Sequence, residues 1–298
     1  MQLPLNMKQE KTIGVVGLGL IGGSMALDLS AQGYDVIGYD ANPIHAQKAK
    51  DLGLITSYME LDELSSKSDF IIVAIPVKQT AEVIRQILDK ISWHSILIDT
   101  GSTKKSICKE VRSHTKRGRF VACHPLAGTE FSGPQAAIRN LFKDKKNIIC
   151  EEHLSDEDAL DFTIQIMNEL GIQNIFMDPV EHDKHMAYVS HLSHVSAFTL
   201  GTTVLNIEKD QKQIFNLAST GFESTVRLAK SSPHTWSSIF SDNSDNLVAA
   251  LTSYIEALSE FKEAIEEQNE EKIKDIISDA NEIRRVLNGM KYNIVKLS

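Results

Sequence analysis

The sequence predicts an α/β protein: a doubly wound, mostly parallel sheet of the Rossmann type, followed by an all-helical half. Three observations predict it. Short β-branched runs alternate with helical stretches through the first 178 residues, the pattern of a sheet wound by crossover helices. A turn reading Gly17-x-Gly19-x-x-Gly22 stands directly after the first such run and opens a helix. From Pro179 onward no strand-like run follows, and apolar residues recur every three or four positions to the end. The chain is therefore expected to divide into residues 1–178 and 179–298.

The expected strands are "TIGVVG" (12–17), "DVIGYD" (35–40), "DFIIVAI" (69–75), "SILIDT" (95–100), "RFVAC" (119–123), "NIICE" (147–151) and "NIFM" (174–177). Continuous apolar runs of this length suit strands covered on both faces, as in a parallel sheet. Between them lie helical stretches, Gly22 to Gln32, 78–91 and 156–170, the last opening on "SDED", with a capping serine and acids in the first turn. In the second half Leu247, Leu251, Tyr254, Leu258, Phe261 and Ile265 form one apolar stripe. After "EEQNEEK" a second follows through Ile273, Ile276, Ile277, Ile283, Val286 and Leu287. Two antiparallel amphipathic helices are expected there, serving as domain core or, beyond that, as a subunit interface.

Composition narrows the function. With 42% hydrophobic and 24% charged residues the chain is an ordinary globular protein. Its net charge of −9 opposes binding to nucleic acid or an anionic membrane, neither of which rewards an acidic surface. Cys108, Cys123 and Cys150 form no CxxC pair and read as reduced thiols. The N-terminal "MQLPLNMKQEKT" has no apolar signal core, and the apolar run Ile13–Leu27 is short and interrupted by glycines. A cytoplasmic protein is expected.

The glycine turn carries the first functional expectation. Its first glycine permits a tight turn, the second lets backbone approach a pyrophosphate, and the third lets helix pack on strand. Leu20 and Ile21, between the second and third, lead into the helix whose free N–H groups and dipole favour phosphate. Asp40 ends the second strand, where a carboxylate can accept the ribose hydroxyls of a dinucleotide. It is followed by "ANPI", without Arg or Lys to meet a 2′-phosphate, so NAD is expected rather than NADP; His45 and Lys48 are the nearest basic side chains that could argue otherwise.

The second concerns the segment "CHPLAGTEFSG" (123–133), which follows the "RFVAC" strand and puts His124 at its C-terminal edge, where ligands of open α/β sheets gather. "DTGSTKKS" (99–106) brings Ser102 to the same edge, where alone it reads as a helix cap. "EHDKHMAYVSHLSHVSAF" offers His182, His185, His191 and His194; a metal site would need a further ligand that the pattern lacks, so none is expected. Arg227, in "ESTVRLAKSSPHTW", reads either as a snorkelling surface side chain or as a clamp for a carboxylate.

Taken together, "VVGLGLIGGS", "DTGSTK", "HPLAGTEFSG", "SHLSHVSAF" and "RLAKSSPHTW" closely resemble the prephenate/arogenate dehydrogenases of tyrosine biosynthesis, in family order from about Ile13 to the final helices. The resemblance implies oxidative decarboxylation of prephenate to 4-hydroxyphenylpyruvate with NAD, or of arogenate as the alternative, by a homodimer joined through the C-terminal helices. It implies that His124 takes the proton of the ring hydroxyl and that Ser102 orients His124 and the nicotinamide. Arg227 would hold a substrate carboxylate, His194 and Trp236 would line the side-chain end of the pocket, and Glu130 and His191 would support the polar network. Some members carry an aspartate where this chain has Ser224, which leaves the ion-pair partner of Arg227 open, with Glu223 beside it. A 3-hydroxy-acid dehydrogenase is the rival enzyme, but its catalytic lysine has no counterpart in "SHLSHVSAF". A non-catalytic NAD sensor would not need Ser102, His124 and Arg227 together.

Overall fold

Seven β-branched runs become strands of one eight-stranded sheet in the computed structural model, which describes residues 11–208, 220–285 and 287. They are β1 (Thr12–Val16), β2 (Asp35–Tyr39), β4 (Phe70–Val73), β5 (Ile96–Asp99), β6 (Phe120–Pro125), β7 (Lys146–Cys150) and β8 (Gln173–Phe176). The eighth, β3 (Ser57–Tyr58), is a two-residue edge strand too short and too polar to show as an apolar run. The order is β3-β2-β1-β4-β5-β6-β7-β8, parallel throughout except between β6 and β7. Chain direction relative to β1 thus reverses at β7, which the apolar runs alone did not indicate.

Alternate residues feed two cores. Ile13 and Val15 of β1, Phe70 and Ile72 of β4, and Ile96 and Ile98 of β5 belong to one face. Val16, Ile71, Val73 and Leu97 belong to the other. Helices cover both faces: α1 (Leu20–Ala31), α2 (Pro43–Asp51), α3 (Leu61–Lys67), α4 (Val77–Lys90), α5 (Lys105–Val111) and α6 (Glu157–Glu169). The reversal of strand order between β1 and β4 opens a crevice at their C-terminal ends, the usual ligand position in such sheets.

After β8 the described chain is helical. Asp178 caps α7 (Pro179–Met186) by accepting the N–H groups of Val180 and Glu181. A turn of π-helix, Ala187–His191, leads into α8 (Leu192–Glu208). Then come α9 (Thr220–Val226) and α10 (Pro233–Asp242). Two units emerge from the packing, one through Leu247 and one from Val248. The second is a helical hairpin of α11 (Ser244–Glu266), which begins in the first unit, and α12 (Glu270–Asn281), with Lys272 pairing back to Glu260 at 3.7 Å. Much of the two expected stripes is not core: Leu258 and Ile265 are 51% and 54% exposed, and Tyr254, Ile277, Ile283 and Leu287 are exposed too. Val286 and the last residues of the expected second helix lie outside the described residues, as do the first ten. Among the described residues no helix is long and apolar enough to cross a membrane.

Candidate active site

The glycine turn lies at the crevice. Gly17 has φ +93°, and a Cβ there would stand 2.3 Å from the Ala74 carbonyl oxygen. Gly22 is packed so closely that a Cβ would meet the Gly17 oxygen at 2.0 Å. A Cβ on Gly19, by contrast, would meet nothing within 4 Å: the backbone there faces open space. That space is a cavity of about 300 Å³ walled by Gly19, Leu20, Ile21, the Ala74–Val77 turn after β4, Ser102 and the loop 127–133. Asp40 closes the turn from the side of β2, its Oδ2 accepting the Leu18 N–H and its Oδ1 the Asn42 N–H, both at 2.9 Å. Each oxygen keeps a second lone pair. His45 lies 3.7 Å from the same carboxylate. An open cradle at a helix N-terminus with a carboxylate beside it fits a dinucleotide.

A second cavity, about 380 Å³, adjoins the first. The two share Ser102, Ala127, Gly128, Thr129, Ser231 and Trp236 as walls. His124, His194, Met186 and Arg227 line only the second.

His124 sits at the end of β6 and is 9% exposed. Its ring is held by a partner the sequence reading did not assign. His182 Nδ1 lies 2.7 Å from Asp183 Oδ1; a carboxylate only accepts, so the proton is on His182 Nδ1 and its Nε2 is an acceptor. His124 Nδ1 lies 2.8 Å from that Nε2 and must donate to it. The bare nitrogen of His124 is therefore Nε2. Burial first, then His182, Lys104 and His191, hold its pKa well below the ordinary histidine value. The imidazole therefore stays neutral to pH values below the ordinary histidine range of about 6.5.

Ser102 does not cap α5, whose first turn begins at Lys105. Among the described contacts it makes no hydrogen bond to His124, whose ring is met by His182. It stands instead on the wall between the two cavities. His194 lines the second cavity as expected; its Nδ1–H donates to the Ser190 carbonyl at 2.9 Å, and its ring stacks on Trp236 with centroids 3.4 Å apart. Burial lowers its pKa, so it too is neutral. His191 is behind the wall rather than in it: it is buried, its Nδ1 accepts from Asn243 at 3.2 Å, and burial pushes its pKa down to about 4.

Arg227 stands at the rim, 53% exposed, and pairs with Glu130 at 3.4 Å. Glu223, the expected stand-in partner, is engaged with Lys230 at 3.9 Å instead. The glutamate that answers Arg227 comes from the loop after His124, so a signal was present in "HPLAGTEFSG", though not at helical spacing from the arginine. Among the described residues no group of three or more His, Cys, Asp or Glu is arranged to hold a metal; His185, expected near His182, pairs with Glu181 on the surface.

A glycine cradle at the switch point, with a neutral histidine in the adjoining cavity, is an arrangement suited to a nucleotide-dependent oxidoreductase. Comparison with known proteins refines the class. The family described as prephenate dehydrogenase, nucleotide-binding domain, matches residues 25–176, and its dimerization domain matches residues 178–279. The chain belongs to the prephenate dehydrogenase family. It is 30% identical to a prephenate dehydrogenase of Lactococcus lactis, over 93% of this chain and 77% of that protein. Among solved structures it is similar to prephenate dehydrogenase from A. aeolicus in complex with hydroxyphenyl propionate and NAD+, with TM-score 0.84 and 30% identity over 93% of this chain and 98% of the other. Synechocystis arogenate dehydrogenase is similar as well, with TM-score 0.72 and 26% identity over 93% and 99%.

Proposed function

We propose that this protein catalyses the NAD-dependent oxidative decarboxylation of prephenate to 4-hydroxyphenylpyruvate, in the cytoplasm and as a homodimer. The observation that carries the reading is the bond pattern of His124: with Nδ1–H given to His182, its Nε2 is left as a neutral acceptor on a cavity adjoining the glycine cradle. NAD in that cradle supplies the hydride acceptor. His124 Nε2 would accept the proton of the C4 hydroxyl as hydride leaves C4 and the hydroxyl becomes a carbonyl; loss of the ring carboxylate as CO2 sends its electron pair into the ring, and the phenolate oxygen so formed takes a proton back to give the phenol. The imidazolium formed is stabilised through His182 by the Asp183 carboxylate, a charge-assisted chain. Arg227 exchanges Glu130 for a substrate carboxylate, and Trp236 and His194 form the wall against which the side chain lies.

Prephenate is favoured over arogenate on charge. Arg227 is the one ionised side chain lining the inner cavity among the described residues. It suits a dianionic keto acid better than a substrate carrying an ammonium group, for which the inner wall offers no carboxylate. Measuring kcat/KM for both substrates tests this; arogenate turned over faster would sink it.

Asp40 supports NAD over NADP, because its buried-side carboxylate is held in place by two backbone N–H groups and would face a 2′-phosphate with like charge. A kcat/KM for NADP equal to or above that for NAD would refute the preference. The exposed apolar stripe of α11 and α12 supports the dimer, and we assign residues 179–298 to substrate binding and dimerisation and 1–178 to the nucleotide. Light scattering is expected to return twice the chain mass at micromolar concentration, and a monomer mass would reject the dimer.

A further inference from the structure

Two ionised side chains lie wholly inside the first unit and have no part in the chemistry above. Asp99 ends β5 and Lys104 immediately precedes α5; both are 0% exposed and they pair with each other. Their position is informative. The β5–β6 ladder registers Leu97 with Phe120 and Ile98 with Val121, and then stops, because β5 ends while β6 continues to Pro125. Cys123 is therefore beyond the reach of β5 backbone partners. Its N–H donates instead to Asp99 Oδ1 at 3.1 Å, and its carbonyl accepts from Lys104 Nζ at 2.7 Å. Side chains take over where the ladder runs out, at the residue directly before His124.

A second connection starts from the same lysine. The backbone N–H of Lys104 donates to Asp183 Oδ1 at 2.7 Å, and that of Lys105 to Asp183 Oδ2 at 3.0 Å. Asp183 Oδ1 is also the oxygen that fixes the proton on His182, and His182 in turn fixes the proton on His124. Two routes of hydrogen bonds thus run from Lys104 to His124, one through the strand and one through the imidazole chain.

We propose that Asp99 and Lys104 are a positioning pair for the reaction, which fixes the end of β6 and the proton pattern of His124 together. The proposal rests on the reading of His124 as the base. A buried ion pair is seldom kept for stability, since an apolar replacement of similar volume often serves as well; a requirement for exact placement explains its presence here. Burial works against the ammonium of Lys104, but the Asp99 carboxylate outweighs it and the group stays charged. The charged and titratable groups around His124 are then Lys104 with Asp99 behind the strand, His182 with Asp183, His191, and His194 and Arg227 in the cavity wall. Lys104 is among those that disfavour the imidazolium.

The test is the double variant Asp99→Asn/Lys104→Met, in which no unpaired charge is left buried; Asn can still accept the Cys123 N–H but not also that of Gly101, which Asp99 Oδ2 accepts at 2.9 Å. Three quantities are read: kcat with prephenate and NAD, the dissociation constant of NAD, and the titration of the His124 ring by NMR without substrate, assigned with His124→Asn. The variant is expected to fold and bind NAD as the parent does, to lose kcat about ten- to a hundredfold through misplacement of the base, and to show His124 titrating at higher pH. Wild-type kcat in the double variant, or His124 titrating at its wild-type pH, overturns the proposal. Failure of the base reading is separate: it would appear as undiminished kcat in His124→Asn, while the ring titration still reports whether the pair governs His124.

Discussion

Replacing His124 with Asn is expected to lower kcat roughly 10²–10⁴-fold, the usual worth of a positioned general base. The substitution keeps a polar group of similar reach. It also keeps a donor for His182 Nε2, so the buried chain to Asp183 loses no partner. What it removes is the nitrogen that can take a proton. Substrate KM is expected to change much less, because Arg227, His194 and Trp236 remain in the cavity wall. The wild-type acid limb provides a second reading. Accepting the hydroxyl proton requires neutral imidazole, and since the His124 pKa is held low by burial and by His182 and Lys104, activity persists as pH falls below the ordinary histidine value and fails only when the ring is at last protonated. In His124→Asn that limb disappears from the residual rate. Near-normal kcat in the variant, or the same limb, would show that the proton goes elsewhere.

Arg227→Ala is expected to act on the other axis. Losing a charge-assisted carboxylate clamp costs 2–5 kcal/mol in a desolvated site. Arg227 is 53% exposed, so water screens it and the lower figure applies. A loss of about 2 kcal/mol corresponds to a KM for prephenate raised roughly 30-fold. Binding of NAD is expected to stay close to wild type, because Arg227 does not line the cavity of the glycine turn. The variant also leaves Glu130, on the wall of the glycine-turn cavity, without its partner. Steady-state kinetics in both substrates checks it, and an unchanged KM for prephenate would return Arg227 to the snorkelling role.

The features legible in the sequence are those encoded by local pattern. Seven strands and the glycine turn follow from apolar runs and from backbone geometry that only glycine tolerates, and Gly17 and Gly22 show that geometry directly. His124 was legible because a strand end fixes where the next residue stands. The antiparallel entry of β7 was not, because a strand covered on both faces carries no mark of its direction. The partnership of His124 with His182 spans 58 residues and depends on how α7 packs beside α5, through Asp183 and the Lys104 and Lys105 N–H groups. No spacing within "EHDKHM" distinguishes the buried His182 from the surface His185. Asp99 and Lys104 escaped for the same reason: a lysine at a helix start reads as exposed until the strand it supports is seen to outrun its neighbour. The pairing of Arg227 with Glu130 likewise joins a helical turn to a distant loop, and only the folded chain brings them together.

The most direct test of the account is turnover of prephenate by the purified full chain with NAD, following NADH, CO2 and the aromatic product together. The account predicts NADH and CO2 in equal amounts, with 4-hydroxyphenylpyruvate as the product, and all three slowed together by roughly 10²–10⁴-fold in His124→Asn. No reduction of NAD in the presence of prephenate, or NADH formed without release of CO2, would contradict it.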